Sequence, residues 1–261
     1  MADESVERAD PWEALRRYTN ARIALGRAGD SLPTAPQLAF QLDHARARDA
    51  VHLPFDAEGV AGELAAAGLP VILARSAAPD RATYLKRPDL GRRLDADSRK
   101  ALAALALPDG ASYDAVFVIA DGLSALAVHR HAAALAARVA AALDGLGWRL
   151  APVVVVGQGR VAVADEVGAL LRAEQAAILI GERPGLSVAD SLGVYLTYGP
   201  RLGRTDAERN CISNIHGRGQ SYETAMATLV YLMSEARRLR LTGVELKDDR
   251  AGRDAAARLA E

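Results

Sequence analysis

Three short apolar runs, each ending in a glycine-bearing turn and the first two leading into stretches of helical periodicity, organise the second half of the chain. The first, 114–120 (DAVFVIA), stops at Asp121-Gly122 and leads into an Ala/Leu-rich helical pattern over 123–143. The second, 152–156, ends in Gly157-Gln158-Gly159-Arg160 and predicts a helix over 161–172. The third, 176–180, ends in Gly181-Glu182-Arg183-Pro184-Gly185. A fourth strand is predicted over 193–198, and a long amphipathic helix over 221–241 with Ser221 as its cap and Glu223 in its first turn. Strands alternating with helices imply right-handed βαβ crossovers and a mostly parallel sheet covered on both faces, an α/β doubly wound class. Ligands of such sheets bind outside the carboxyl ends of the strands, which here are the loops 121–124, 157–160 and 181–185.

The first half is less regular. Residues 1–10 are polar and predict fraying. Over 11–25, Trp12, Leu15 and Tyr18 form one helical stripe, with Pro11 suited to a first turn. Turn formers fill 26–34. Thr34 is then placed to cap a helix that carries Leu38, Leu42 and Ala45 through about Val51. The mixed stretch 52–108 holds an apolar run at 69–74 and a helix-like run at 98–107. The expected organisation is an N-terminal helical extension over 1–25, an α/β domain over 26–247 and a tail over 248–261, with no repeat that would make a solenoid.

Composition narrows the function classes. Among 261 residues, 32 Lys and Arg balance 33 Asp and Glu, which argues against a globally basic nucleic-acid binder. Aromatics are only 5%, so the core must come from Ala, Leu and Val. The single cysteine, Cys211, excludes an intrachain disulfide and a multi-cysteine metal site. The absence of an apolar run of ~18 residues and the acidic start point to the cytoplasm. None of the five histidines falls in H-E-x-x-H or a comparable metal spacing, so each reads as structural or solvated. His216 sits near Cys211 in a cluster of small polar groups, and no Ser–His–Asp order emerges there.

Two motifs remain. Gly157-Gln158-Gly159-Arg160 offers backbone amides at a helix start, where an anion is favoured, and resembles a shortened Rossmann-like dinucleotide fingerprint with Ala162 in the third glycine's place. A nicotinamide-dependent oxidoreductase is the reading it suggests; a tight strand-to-helix turn explains the glycines equally well. Glu182, at a strand's carboxyl end before a rigid Pro-Gly turn, is placed to accept hydrogen bonds from a ligand, or else merely to pair with Arg183 or cap a helix. Cys211 reads as a small buried hydrophobe rather than a nucleophile.

Five segments taken together, GRAGDSLPT (26–34), DHARARDAV (43–51), IGERPGL (180–186), SNIH (213–216) and LTGVELK (241–247), resemble the small subunit of ethanolamine ammonia-lyase, in the family's order and over nearly the whole chain. The resemblance implies a subunit that pairs with a larger TIM-barrel subunit and holds adenosylcobalamin between the two. The complex converts ethanolamine to acetaldehyde and ammonia by a radical route, the substrate pocket lies in the large subunit, and this chain alone is inactive. The family's cofactor contacts fall here on Val161, Glu182 and Cys211, within the domain at 26–247. No histidine sits in the D-x-H-x-x-G pattern that replaces the cofactor's lower base, so the cofactor is expected base-on. The short polar segment before Pro11 departs from longer members, in some of which that region directs the complex into a bacterial microcompartment; the cytoplasm is the expected location here, with a microcompartment as the alternative. A capping subunit without cofactor contacts is the remaining alternative.

Overall fold

The computed structural model describes residues 7–8, 10–108 and 110–250, so the fraying predicted for 1–10 and most of the expected tail lie largely outside the described residues. A two-stranded ribbon, β1 (Glu7–Arg8) against β2 (Arg27–Ala28), brackets a 3₁₀ turn at Glu13–Tyr18. There follow α1 (Thr34–His52), α2 (Ala57–Ala66), β3 (Val71–Arg75), α3 (Arg81–Lys86), α4 (Ala96–Ala103), β4 (Tyr113–Ala120), α5 (Ala125–Asp144), β5 (Val153–Gly157), α6 (Val163–Leu171), β6 (Ala173–Gly181), β7 (Leu192–Tyr198), β8 (Asn210–Ile215) and α7 (Tyr222–Leu239). The main sheet has the order β3-β5-β4-β6-β7-β8.

The strands β3 to β6 are parallel, and alternate residues of β4 enter two separate cores. Phe117 and Ile119 face α2, α5 and α7; Val116, Val118 and Ala120 face α4 and α6. Burial on both faces is why these strands read as continuous apolar runs without alternation. Ser124 caps α5 by accepting from Ala127 N–H, and Ser221 caps α7 by accepting from Thr224 N–H.

The sheet is mostly parallel, as expected; β7 and β8 are antiparallel additions, because the 182–191 connection holds no helix to carry a crossover. Two expectations are corrected. The helix expected over 11–25 is only the 3₁₀ turn: Trp12, Leu15 and Tyr18 are exposed, and the described residues offer them no surface to bury against. Thr34 is the first residue of α1 rather than its cap, which is Pro33 without a side-chain bond. Among the described residues no helix is long and apolar enough to cross a membrane.

One buried ion pair ties the antiparallel extension to the parallel half. Arg209, just before β8, donates from Nη1 and Nη2 to the two oxygens of Asp165 on α6, each at 2.7 Å, and both side chains are 2% exposed. Thr197 Oγ1 and the Arg204 carbonyl accept further bonds from the same guanidinium. Asp165→Ala strands a buried cation, so urea unfolding should report a loss of about 3–5 kcal/mol. The surface pair Arg237–Asp114 is the control, and Arg237→Ala should cost under about 1 kcal/mol. Equal losses from the two variants would show that the buried pair does not hold the halves together.

Candidate functional site

A cleft of about 450 Å³ opens at the carboxyl ends of β4 and β6, walled by Tyr84, Leu123, Arg160, Val161, Glu182 and Tyr195 among others. Among the clefts larger than this one, two measure about 870 and 640 Å³. The first lies at the ends of β3 and β5, the second between α1 and residues 186–187, and neither is lined by Val161, Glu182 or Cys211.

Backbone packs on backbone at the base of this cleft. Gly122 has φ +56°, and a Cβ there would stand 2.3 Å from the Gly181 carbonyl oxygen. A Cβ on Gly181 would stand 2.1 Å from the Ser124 oxygen and 2.6 Å from that of Asp121. The Leu123 N–H donates to the Gly181 carbonyl at 2.9 Å, closing the two strand ends together. Only glycine fits at either position.

The glycine loop after β5 is not an anion cradle. Gly159 N–H donates to Asp121 Oδ1 at 3.2 Å, and Arg160 N–H to the Gly91 carbonyl at 2.7 Å. At the start of α6, the N–H groups of Val163, Ala164 and Asp165 donate to the carbonyls of Arg160, Val161 and Ala162. The crevice between β4 and β5, whose connections leave to opposite faces, is filled by Arg81. Its Nη1 donates to Asp121 Oδ2 at 3.0 Å and to the Gly122 carbonyl at 2.8 Å, while Nε reaches the Val51 carbonyl at 2.8 Å. An internal carboxylate and an internal cation thus occupy the ground on which a dinucleotide would sit. Spacing along the chain concealed this, because Asp121 and Arg81 meet the loop from about 40 and 80 residues away. Burial pushes the Asp121 carboxyl up to about 6, against Arg81 and the loop amides, which hold it down.

Glu182 neither pairs with Arg183 nor caps a helix among the described residues. Its Oε2 accepts from Ser191 Oγ at 2.5 Å and from Asn214 N–H at 3.1 Å, tying the start of β7 to the end of β8. Its Oε1 makes no hydrogen bond among the described residues and lies 3.0 Å from where a Cβ of Gly193 would be, so the missing side chain gives the carboxylate its room. Val161 is half-buried against the core on the α6 side and also lines the cleft.

Cys211 is exposed on β8, so the buried-hydrophobe reading does not hold. It pairs directly across the ladder with Tyr195, which places the two side chains on one face of the sheet. Tyr195, not Cys211, forms the cleft wall, and sequence reasoning missed it inside an ordinary strand. The structure brings Val161 and Glu182 into one cleft and leaves Cys211 one strand away.

The histidines are structural where they are buried or bonded. His129 Nε2 accepts from Asp56 N–H at 3.0 Å, His131 Nδ1 meets Tyr222 Oη at 2.6 Å, and His216 Nε2 meets Asn214 Oδ1 at 2.7 Å. No group of three metal-ligating side chains occurs among the described residues.

Comparison with known proteins adds the family context. A family profile described as "Ethanolamine ammonia-lyase light chain (EutC)" matches residues 9–247. The chain is 59% identical over 239 residues to the ethanolamine ammonia-lyase small subunit of Ralstonia nicotianae, covering 92% of this chain and 88% of the relative. It is 57% identical over 249 residues to the small subunit of Pseudomonas fluorescens, covering 95% and 91%, and equally identical to that of Azotobacter vinelandii, covering 95% and 92%.

The Asp121 environment gives a pH signature. In the unfolded chain this carboxyl titrates near its ordinary 3.8, so from about pH 4 to pH 6 the folded chain keeps a proton that the unfolded chain has released. The group's stabilising share is therefore full below about pH 4 and lost as pH rises through about 6. The difference in unfolding free energy between the wild type and Asp121→Asn should fall across that window and stay flat outside it. A pH-independent difference would mean that the carboxyl does not titrate there.

Proposed function

The chain belongs to the ethanolamine ammonia-lyase light-chain family, and from that premise we propose that the cleft at the ends of β4 and β6 receives one edge of adenosylcobalamin, with Val161, Glu182 and Cys211 as contacts. The enzyme is a cobalamin-dependent lyase of which this chain is the small subunit. When bound, the cofactor supplies a radical through its cobalt–carbon bond. This chain supplies position.

The observation that carries the reading is the divided use of the Glu182 carboxylate. One oxygen is fixed by Ser191 and Asn214, and the other is left for a donor from outside the fold. A corrin bears primary carboxamides around its rim, and their N–H groups are donors that a pre-fixed carboxylate oxygen suits. Val161 and Leu123 present apolar surface beside it and keep water from that hydrogen bond. Cys211, exposed beyond Tyr195, offers a polarisable surface farther out along the same face. A cleft of about 450 Å³ takes an edge of so large a cofactor and not the whole, which suits a group shared between two subunits.

The partner in this reading is the large TIM-barrel subunit, which holds the substrate site, so this chain is active only in the hetero-oligomer. The N-terminal arm supports it. α1 buries Ala50 alone, while Trp12 is 65% and Tyr18 73% exposed, with Leu38, Phe40 and Leu42 also open to solvent. Apolar exposure on this scale marks an interaction surface.

Co-expression with a large subunit should yield ethanolamine deamination that neither subunit gives alone. In that complex Glu182→Ala should weaken cobalamin binding roughly 10- to 150-fold, the cost of losing a charged acceptor. Glu182→Gln, which keeps one oxygen, should lose less. An unaltered cobalamin dissociation constant for Glu182→Ala would reduce Glu182 to a strand-end tie.

The cofactor is proposed to bind with its own base on cobalt, since no histidine here occupies a D-x-H-x-x-G pattern. EPR of the cob(II)alamin form of the complex, prepared with ¹⁵N-histidine, should show no change in the axial nitrogen splitting. A splitting that follows the label would put a protein histidine on the metal.

A further inference from the structure

We propose that Arg160 is a second fixed polar contact of the cleft, donating to carboxamide oxygens on the corrin rim. Resting on the cofactor reading above, this adds a residue that the motif at 157–160 had suggested only as part of a backbone cradle.

Three observations converge on the side chain. Arg160 is held in place before any ligand arrives: its N–H bonds the Gly91 carbonyl at 2.7 Å, its Nη2 donates to the Tyr84 carbonyl at 3.2 Å, and its guanidinium lies 4.3 Å from the Tyr84 ring centroid. A Cβ on Gly91 would come within 2.7 Å of Arg160 Cγ, so the stem runs in a groove that only glycine leaves open. The ordering cost of a long side chain has already been met by the fold.

The charge, in contrast, is unanswered. No carboxylate forms an ion pair with Arg160 among the described residues, and Nε is buried without a hydrogen-bond partner. The nearby Asp121 is engaged by Arg81 and by Gly159 N–H. Arg81, Arg93, Arg99, Arg204 and Arg209, packed around the same sheet, each have an acidic partner.

Arg160 shares the cleft wall with Glu182. A guanidinium only donates and a carboxylate only accepts. A primary carboxamide carries an oxygen that suits the first and an NH₂ that suits the second. The pair therefore dictates how amides along one edge of the ring are turned, and so the orientation in which the ring seats. The phosphodiester of the nucleotide loop is the other oxygen acceptor on the same cofactor, and cobinamide, which lacks that loop, separates the two.

The test uses the co-expressed two-subunit complex and measures dissociation constants for cyanocobalamin and dicyanocobinamide by equilibrium dialysis. Arg160→Ala and Arg160→Met are compared with Glu182→Ala; the methionine keeps stem packing over Tyr84 should alanine fail to assemble. Both Arg160 variants should weaken cyanocobalamin about 10- to 100-fold, as expected for a lost charged hydrogen bond, and weaken cobinamide by the same factor. Loss confined to cyanocobalamin would assign the contact to the phosphodiester and overturn the carboxamide proposal. Unchanged affinity in Arg160→Met with weakened affinity in Glu182→Ala would sink the role of Arg160 alone. Unchanged affinity in both would remove the cofactor from this cleft altogether.

Discussion

The contact between Gly122 and Gly181 is the constraint from which the site follows. Two parallel strand ends meet backbone to backbone, with less than 3 Å between an imagined Cβ and the facing carbonyl. Because they meet so closely, Asp121 is turned in toward the loop after β5 and Glu182 emerges at the rim. The same closeness aims the Ser124 hydroxyl at the start of α5. A larger residue at either glycine would part the strands and separate the two carboxylates from their partners together. The floor is set by van der Waals radii and the walls by hydrogen bonds.

The antiparallel extension completes the wall in a way a fully parallel sheet would not. β6 arrives at the carboxyl edge, β7 leaves from that edge, and β8 returns to it. Ser191, Gly193 and Asn214 are thereby gathered around Glu182. A sheet that stayed parallel would have carried the chain to its other end between β6 and β7, leaving Glu182 alone in a loop.

How much of this was legible follows from locality. β4, β5 and β6 were readable because burial on both faces leaves their central residues apolar without alternation, α5 because its Ala/Leu-rich stripe has helical spacing, and α7 because Ser221 precedes an amphipathic stripe. β8 was not, since its edge position lets exposed Cys211, Ser213 and Asn214 break the pattern. The short α3 gives too few turns to show a period. At the site, Glu182 was visible from its place after a strand, and Val161 and Cys211 came from the family resemblance. The filling of the β4–β5 crevice by Arg81 was hidden because every one of its partners is distant in sequence. A glycine pattern describes the shape of a loop; it does not disclose which side chain from elsewhere has already taken the space.

The nearly unburied α1 has a consequence for the life of the subunit in the cell. The arm bearing α1 precedes the sheet in the chain, so its exposed apolar residues leave the ribosome before the sheet does. Until something covers them, they are open to chaperones and proteases. The geometry of one helix thus makes an unpartnered surplus of this chain costly to the cell.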